Sequence, residues 1–95
     1  MEQAQPMTVS IHPTKFVAVQ GETEIVLSLT ELKHLAYFIA NRGRVITTKE
    51  LFDEIWKGKA SEHSNIVNVY INYLRCKLGK ETILTVRGEG YLMAA

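Results

Sequence analysis

The stretch NIVNVYINYLRCKLG, Asn65–Gly79, carries an apolar residue at every third or fourth position and closes on a glycine. At about 100° per residue, Val67, Ile71, Leu74 and Leu78 fall in one narrow sector, which predicts a helix over 64–78 packed on a core by that stripe. Gly79 supplies its C-terminal stop. Diametrically opposite lie Asn65, Asn72 and Cys76, with Val69 and Tyr73 to one side and Asn68 and Arg75 to the other. A face that only needs solubility is expected to carry glutamate and lysine. Asparagines, a tyrosine and small apolar groups suit hydrogen bonding to something flat: an asparagine amide can pair with adenine N6 and N7, and a small apolar group can meet a thymine methyl. A polar face without a ligand fits the same residues, so the flanking sequence has to decide.

Downstream, ILTVRGEGYLM is two short β runs around Arg87-Gly88-Glu89-Gly90, whose glycines supply the positive φ that a tight hairpin needs. This predicts a terminal hairpin over 83–93 with Arg87 near its tip. Upstream, Thr47-Thr48-Lys49-Glu50 has the residues of a capping box and opens a helix with Leu51, Phe52, Ile55 and Trp56 inward, which Gly58 stops. Lys57 to Ser64 then reads as a connecting loop. Ser28-Leu29-Thr30-Glu31 repeats the box pattern and starts an earlier helix with Leu32, Leu35, Ala36 and Ile39 on one face, ending before Asn41-Arg42-Gly43. Before it, TVSIHPTKFVAVQGETEIVLSL alternates apolar and polar residues, broken at His12-Pro13 and at Gln20-Gly21-Glu22, which predicts three or four short antiparallel strands. Strands, helices joined by a loop and a closing hairpin make an α+β domain with a helix-turn-helix at its centre.

The totals agree with one small core: 95 residues, 46% of them apolar, leave no room for a second domain. Residues 7–95 are read as that domain, after a disordered segment 1–6. There is neither a run of roughly 18 apolar residues for a membrane span nor the layout of a signal peptide, so a cytoplasmic chain without membrane contact is expected. The formal charge of +1 is unevenly spread. Residues 1–41 balance to −2, whereas residues 42–95 carry nine Lys/Arg against six acids, a balance of +3. Phosphate binding depends on such local excess more than on the total.

Catalysis and metal chemistry find little support. One cysteine and three scattered histidines have no metal-ligand spacing, and no Gly-rich loop joins a strand to a helix. Asp53 and Glu54 are neighbours on a helix and point apart. His12, His34 and His63 read as turn, helix-face and loop residues, and Cys76 as an inert thiol. No cofactor and no enzyme activity are expected.

The order of elements and the wording of four blocks, LSLTELKHL (Leu27–Leu35), NRGRVITTKELFDEIW (Asn41–Trp56), NVYINYLRCKLG (Asn68–Gly79) and TVRGEGYLM (Thr85–Met93), resemble the effector domain of the OmpR/PhoB response-regulator family. The resemblance implies a winged helix-turn-helix: an N-terminal four-stranded antiparallel sheet, a three-helix bundle and a C-terminal β-hairpin wing. It implies a transcriptional regulator on double-stranded DNA, with the third helix in the major groove, the wing in the adjacent minor groove, and two copies in tandem on direct repeats. Arg75 matches a basic position that holds the phosphate backbone, Thr85 and Arg87 match DNA-touching positions of the wing, and Tyr91 matches the wing tyrosine; Lys77 and Tyr91 are expected to join Arg75 as phosphate contacts. Asn65, Val69, Asn72 and Tyr73 are then the major-groove set. Loop 57–64 resembles a segment that contacts RNA polymerase in some members.

Where the family commonly has arginines, an aspartate and a histidine on the third helix, this chain has Asn65, Asn68, Tyr70, Asn72 and Tyr73. Each missing cation removes up to about 0.9 from the salt slope of duplex binding, which predicts weaker phosphate attraction and A·T readout through asparagine. The same scarcity, with Val69 and Tyr73 exposed, motivates one alternative: a winged helix repurposed as a protein-interaction module with weak or no DNA binding.

Overall fold

The computed structural model describes residues 9–57 and 65–94; the segment 1–6, Gly58 and nearly all of loop 57–64 lie outside them. Strands β1 (Val9–Ile11), β2 (Val17–Gln20) and β3 (Thr23–Val26) form an antiparallel sheet in sequence order. Ile11, Ala18 and Ile25 lie side by side across the sheet and face the core. Among the described residues this sheet has three strands, not four. The reason lies at Leu27, which turns its side chain into the core, and at Ser28, which is already the cap of the next helix.

Helix α1 (Leu29–Ala40) opens with both halves of its capping box: the Glu31 amide donates to Ser28 Oγ at 3.2 Å, and the Ser28 amide donates to Glu31 Oε1 at 2.8 Å. Its buried face is Leu32, Leu35 and Phe38 with His34 alongside. Ala36, expected inward, is exposed, and Ile39 is half-buried.

Helix α2 (Thr48–Leu51) departs from expectation in two ways. Only half of its box forms: Thr47 Oγ1 accepts from the Glu50 amide at 3.0 Å, but the Glu50 carboxylate turns away to Arg44. The helix then widens into a π-helical turn, Phe52–Trp56, closed by Lys57 N–H donating to the Phe52 carbonyl at 3.3 Å. Leu51, just before this turn, is fully buried, and Phe52, Ile55 and Trp56 within it are half-buried and pack against the core. Lys57 already has left-handed backbone (φ 50°), ending the element before Gly58.

Helix α3 (Ile66–Leu78) buries the expected stripe: Val67, Ile71, Leu74 and Leu78 are at most 4% exposed. With Leu35, Phe38 and Leu51 they form the contact between the three helices. Each large side chain so buried contributes roughly 1.5–3 kcal/mol. Two side chains satisfy the carbonyl of Leu78 at the end of the helix, Gln20 Nε2 at 2.7 Å and Thr82 Oγ1 at 2.9 Å. Gln20 thereby ties the sheet to α3.

After a 3-10 turn (Lys80–Thr82), β4 (Leu84–Val86) and β5 (Gly90–Leu92) form the wing. Val45-Ile46 proves to be part of it: Ile46 exchanges backbone hydrogen bonds with Tyr91 at 2.8 and 2.9 Å. That pairing needs Gly90, since a Cβ there would lie 2.2 Å from the Ile46 carbonyl oxygen. Ile83 and Met93, both buried, root the hairpin in the core.

Candidate nucleic-acid interface

The outer face of α3 holds Asn65, Asn68, Asn72, Tyr73 and Cys76 exposed, with Val69 half-buried. Asn65 precedes the helix without capping it, so its side chain is not spent on the backbone. Tyr73 is 48% exposed but not isolated. Its ring meets Tyr70 edge-on at 5.4 Å; Tyr70 stacks on His34 at 5.2 Å and leans on Trp56 at 5.6 Å. This ladder runs from the surface to the buried His34, fixing Tyr73 on its inner edge. His34 Nδ1 bonds the Thr30 carbonyl at 2.8 Å, while His34 Nε2 and Trp56 Nε1 are buried without partners.

The other flank of α3 meets the wing. Arg75 donates from Nε to the Ile83 carbonyl and from Nη2 to Thr85 Oγ1, both at 2.8 Å, and its guanidinium lies 5.5 Å from the centre of the Tyr91 ring. Tyr91 in turn donates its hydroxyl to Asn68 Oδ1 at 2.7 Å. Four side chains thus lock helix and hairpin into one surface. Arg87 stands exposed in the turn beyond it, next to Gly88 (φ 75°).

The structure brings eight of the expected residues onto this helix–wing surface and sets Lys77 apart. The Lys77 ammonium pairs with Glu31 Oε1 at 2.8 Å, at the N-terminal end of α1, and lies 3.4 Å from the Val26 carbonyl. Glu31 is 4% exposed. Burial raises its carboxyl pKa, but Lys77 and the Ser28 amide outweigh this and hold it below the ordinary 4.5.

Two features of the surface escaped the sequence reading. Asn68 joins it through Tyr91, a contact between residues 23 apart that helical spacing cannot reveal. A cleft of about 440 Å³ separates Thr47, Thr48 and Lys49 from Thr85, Gly88, Glu89 and Tyr91. Its one sequence signal was the α2 cap. The position of α2 is in turn held by a cluster in which Arg44 donates to both Glu50 oxygens, at 3.1 and 2.7 Å, and Tyr37 donates its hydroxyl to the same carboxylate. The Arg44 hydrogen bonds, then that of Tyr37, lower the Glu50 pKa.

Among the described residues no helix is long and apolar enough to cross a membrane, and no group of three or more His, Cys, Asp or Glu could hold a metal ion. Residues 22–93 match the family described as "Transcriptional regulatory protein, C terminal". The response regulator ArlR of Staphylococcus haemolyticus is 40% identical over 81% of this chain and 36% of its own length. KdpE, the KDP operon transcriptional regulatory protein of Escherichia coli K12, is 34% identical over 76% of this chain and 34% of its own length. The chain therefore spans about a third of these relatives. The Klebsiella pneumoniae RstA DNA-binding domain, solved in complex with the RstA box, superimposes with a TM-score of 0.78 at 25% identity, covering 96% of this chain and 95% of that one. Sequence match, winged-helix architecture and helix–wing surface agree that the chain belongs to the family of C-terminal domains of transcriptional regulatory proteins, the OmpR/PhoB-type winged helices.

Proposed function

We propose that this domain binds double-stranded DNA sequence-specifically as the effector end of a two-component-type transcription regulator. In this reading α3 lies in the major groove, where Asn65, Val69, Asn72 and Tyr73 meet base edges, and the wing places Thr85 and Arg87 at the adjacent minor groove. The observation that carries it is the rigid join of helix to hairpin through Arg75 and Tyr91, which presents exposed amides and an exposed cation on one continuous face. Arg75 has one Nη left for phosphate after its bonds to Ile83 and Thr85, and the cleft beside Thr47 gives the sugar–phosphate chain a path between the grooves. Lys77, already paired with Glu31, contributes to phosphate attraction only in part.

The test is fluorescence anisotropy with a duplex enriched from a random library against a scrambled duplex, at low and moderate salt. Preference for the enriched duplex supports the reading; equal binding to both, or none at low salt, removes it and favours the protein-interaction alternative. That alternative is weakened by the half-burial of Val69, which leaves Tyr73, held edge-on by Tyr70, as the one large apolar side chain exposed among the described residues of α3. The proposal extends to a cytoplasmic regulator whose domain comprises residues 7–95, binding as two tandem copies and reaching RNA polymerase through loop 57–64.

A further inference from the structure

We infer that Asn68 reads a base as a hydrogen-bond donor, oriented for that task by Tyr91, and that it selects guanine. The inference rests on the DNA-binding reading and deepens it by naming a specificity residue and the base it takes. Tyr91 is held through both its backbone and its ring. Its backbone pairs with Thr85 in β4 and with Ile46, and its ring lies beside the Arg75 guanidinium. The position of its hydroxyl is therefore set by the fold, and that hydroxyl donates to Asn68 Oδ1 at 2.7 Å.

An asparagine amide has one acceptor end and one donor end. With Oδ1 turned to the wing, the exposed Asn68 is left with its two Nδ2 hydrogens facing outward. Adenine in the major groove needs an acceptor for N6–H and a donor for N7, so a freely rotating amide suits it. Guanine offers two acceptors, O6 and N7, and suits an amide that presents only its donor end. Asn65, which makes no cap hydrogen bond, keeps the freedom that adenine requires. The asparagines of α3 are thus not equivalent readers: the wing converts one of them from an adenine-type to a guanine-type contact.

Selection from a random-sequence duplex library, run with wild type and with Asn68→Ala, Asn68→Asp and Tyr91→Phe, tests this. Wild type is expected to enrich a site containing one guanine whose preference falls at least about fivefold in Asn68→Ala, with other positions unchanged. Asn68→Asp should move that position toward cytosine, whose N4 amino group donates. Tyr91→Phe keeps the ring beside Arg75 and frees the amide, so the position should shift toward adenine. A purely structural tyrosine would lower affinity evenly and leave base preference intact, and that outcome in Tyr91→Phe, or unchanged preference in Asn68→Ala, overturns the inference while leaving DNA binding standing. A wild-type chain that enriches no sequence removes the DNA reading and this inference with it. Asn68 is exposed, so its two variants retain the fold even if Tyr91→Phe should not.

Discussion

Arg75 Nη2 lies 2.8 Å from Thr85 Oγ1, ten residues further along the chain, so a cation of α3 is bonded directly to the first strand of the wing. With Nε on the Ile83 carbonyl and Tyr91 beside the guanidinium, this side chain has a structural role before any DNA arrives.

Arg75→Lys distinguishes that role from simple charge. Lysine keeps the cation but cannot reproduce the fork that reaches Ile83 and Thr85 together. Loss of the fork is expected to cost about 1–2 kcal/mol in urea unfolding, with DNA affinity falling although the charge is kept. Wild-type stability and affinity in Arg75→Lys would show that the contact is with phosphate alone.

Arg87 makes the opposite case, an exposed cation at the tip of a turn. Arg87→Ala should leave unfolding within about 0.5 kcal/mol of wild type, yet reduce the slope of log K against log salt by about 0.9. The check is a binding titration repeated at several salt concentrations on one duplex. An unaltered slope would place the wing tip away from the phosphates and minor groove.

The parts of this interface that could be read in the sequence are those set by short-range rules. The stripe Val67, Ile71, Leu74 and Leu78 follows from helical period alone, and the Ser28 box and the Arg87-Gly88 turn from local hydrogen bonding and φ. What stayed hidden depends on which side chains the tertiary fold brings together. Glu50 occupies the right position for a capping box, but Arg44 and Tyr37 compete for its carboxylate and win, because a bidentate ion pair is stronger than one bond to an amide. Lys77 reads as a phosphate contact in the sequence, but the carboxylate it pairs with, Glu31, is 46 residues away. The π-helical turn at Phe52–Trp56 has no sequence signature here, yet Phe52, Ile55 and Trp56 still pack against the core beside Leu51, as the spacing predicts.

Acid should destabilise the domain in two stages. Burial of His34 pushes its pKa below the ordinary 6.5, against the Thr30 carbonyl and the Glu31 charge, so the folded ring stays neutral where the unfolded one takes up a proton. Stability from this group is full above about pH 6.5 and declines as pH falls below it. Glu31, held below 4.5, adds stability that is present above that value and lost as pH drops under it. Melting temperatures should therefore be level from pH 7 to 8 and fall from about 6.5 downward. His34→Phe, which preserves the stack on Tyr70, should flatten the upper stage only; an unchanged slope would assign that stage to another group.

The wing glycines offer a sharper contrast, because both have positive φ but only one is crowded. At Gly88 an added Cβ meets nothing within 4 Å, so Gly88→Ala carries the left-handed backbone penalty alone, roughly 1–2 kcal/mol. At Gly90 the same methyl would come 2.2 Å from the Ile46 carbonyl oxygen and 2.9 Å from Thr47 Cα, both backbone atoms that cannot swing aside. Gly90→Ala must therefore push β5 off Ile46, breaking the pair of hydrogen bonds between Ile46 and Tyr91 and moving the Tyr91 hydroxyl away from Asn68. Stability should fall by about 3 kcal/mol or more. Hydrogen exchange should then show the Ile46 and Tyr91 amides losing protection in Gly90→Ala but keeping it in Gly88→Ala. Equal protection in the two variants would mean that the wing is not anchored through Ile46, and that Tyr91 is positioned by β4 and Arg75.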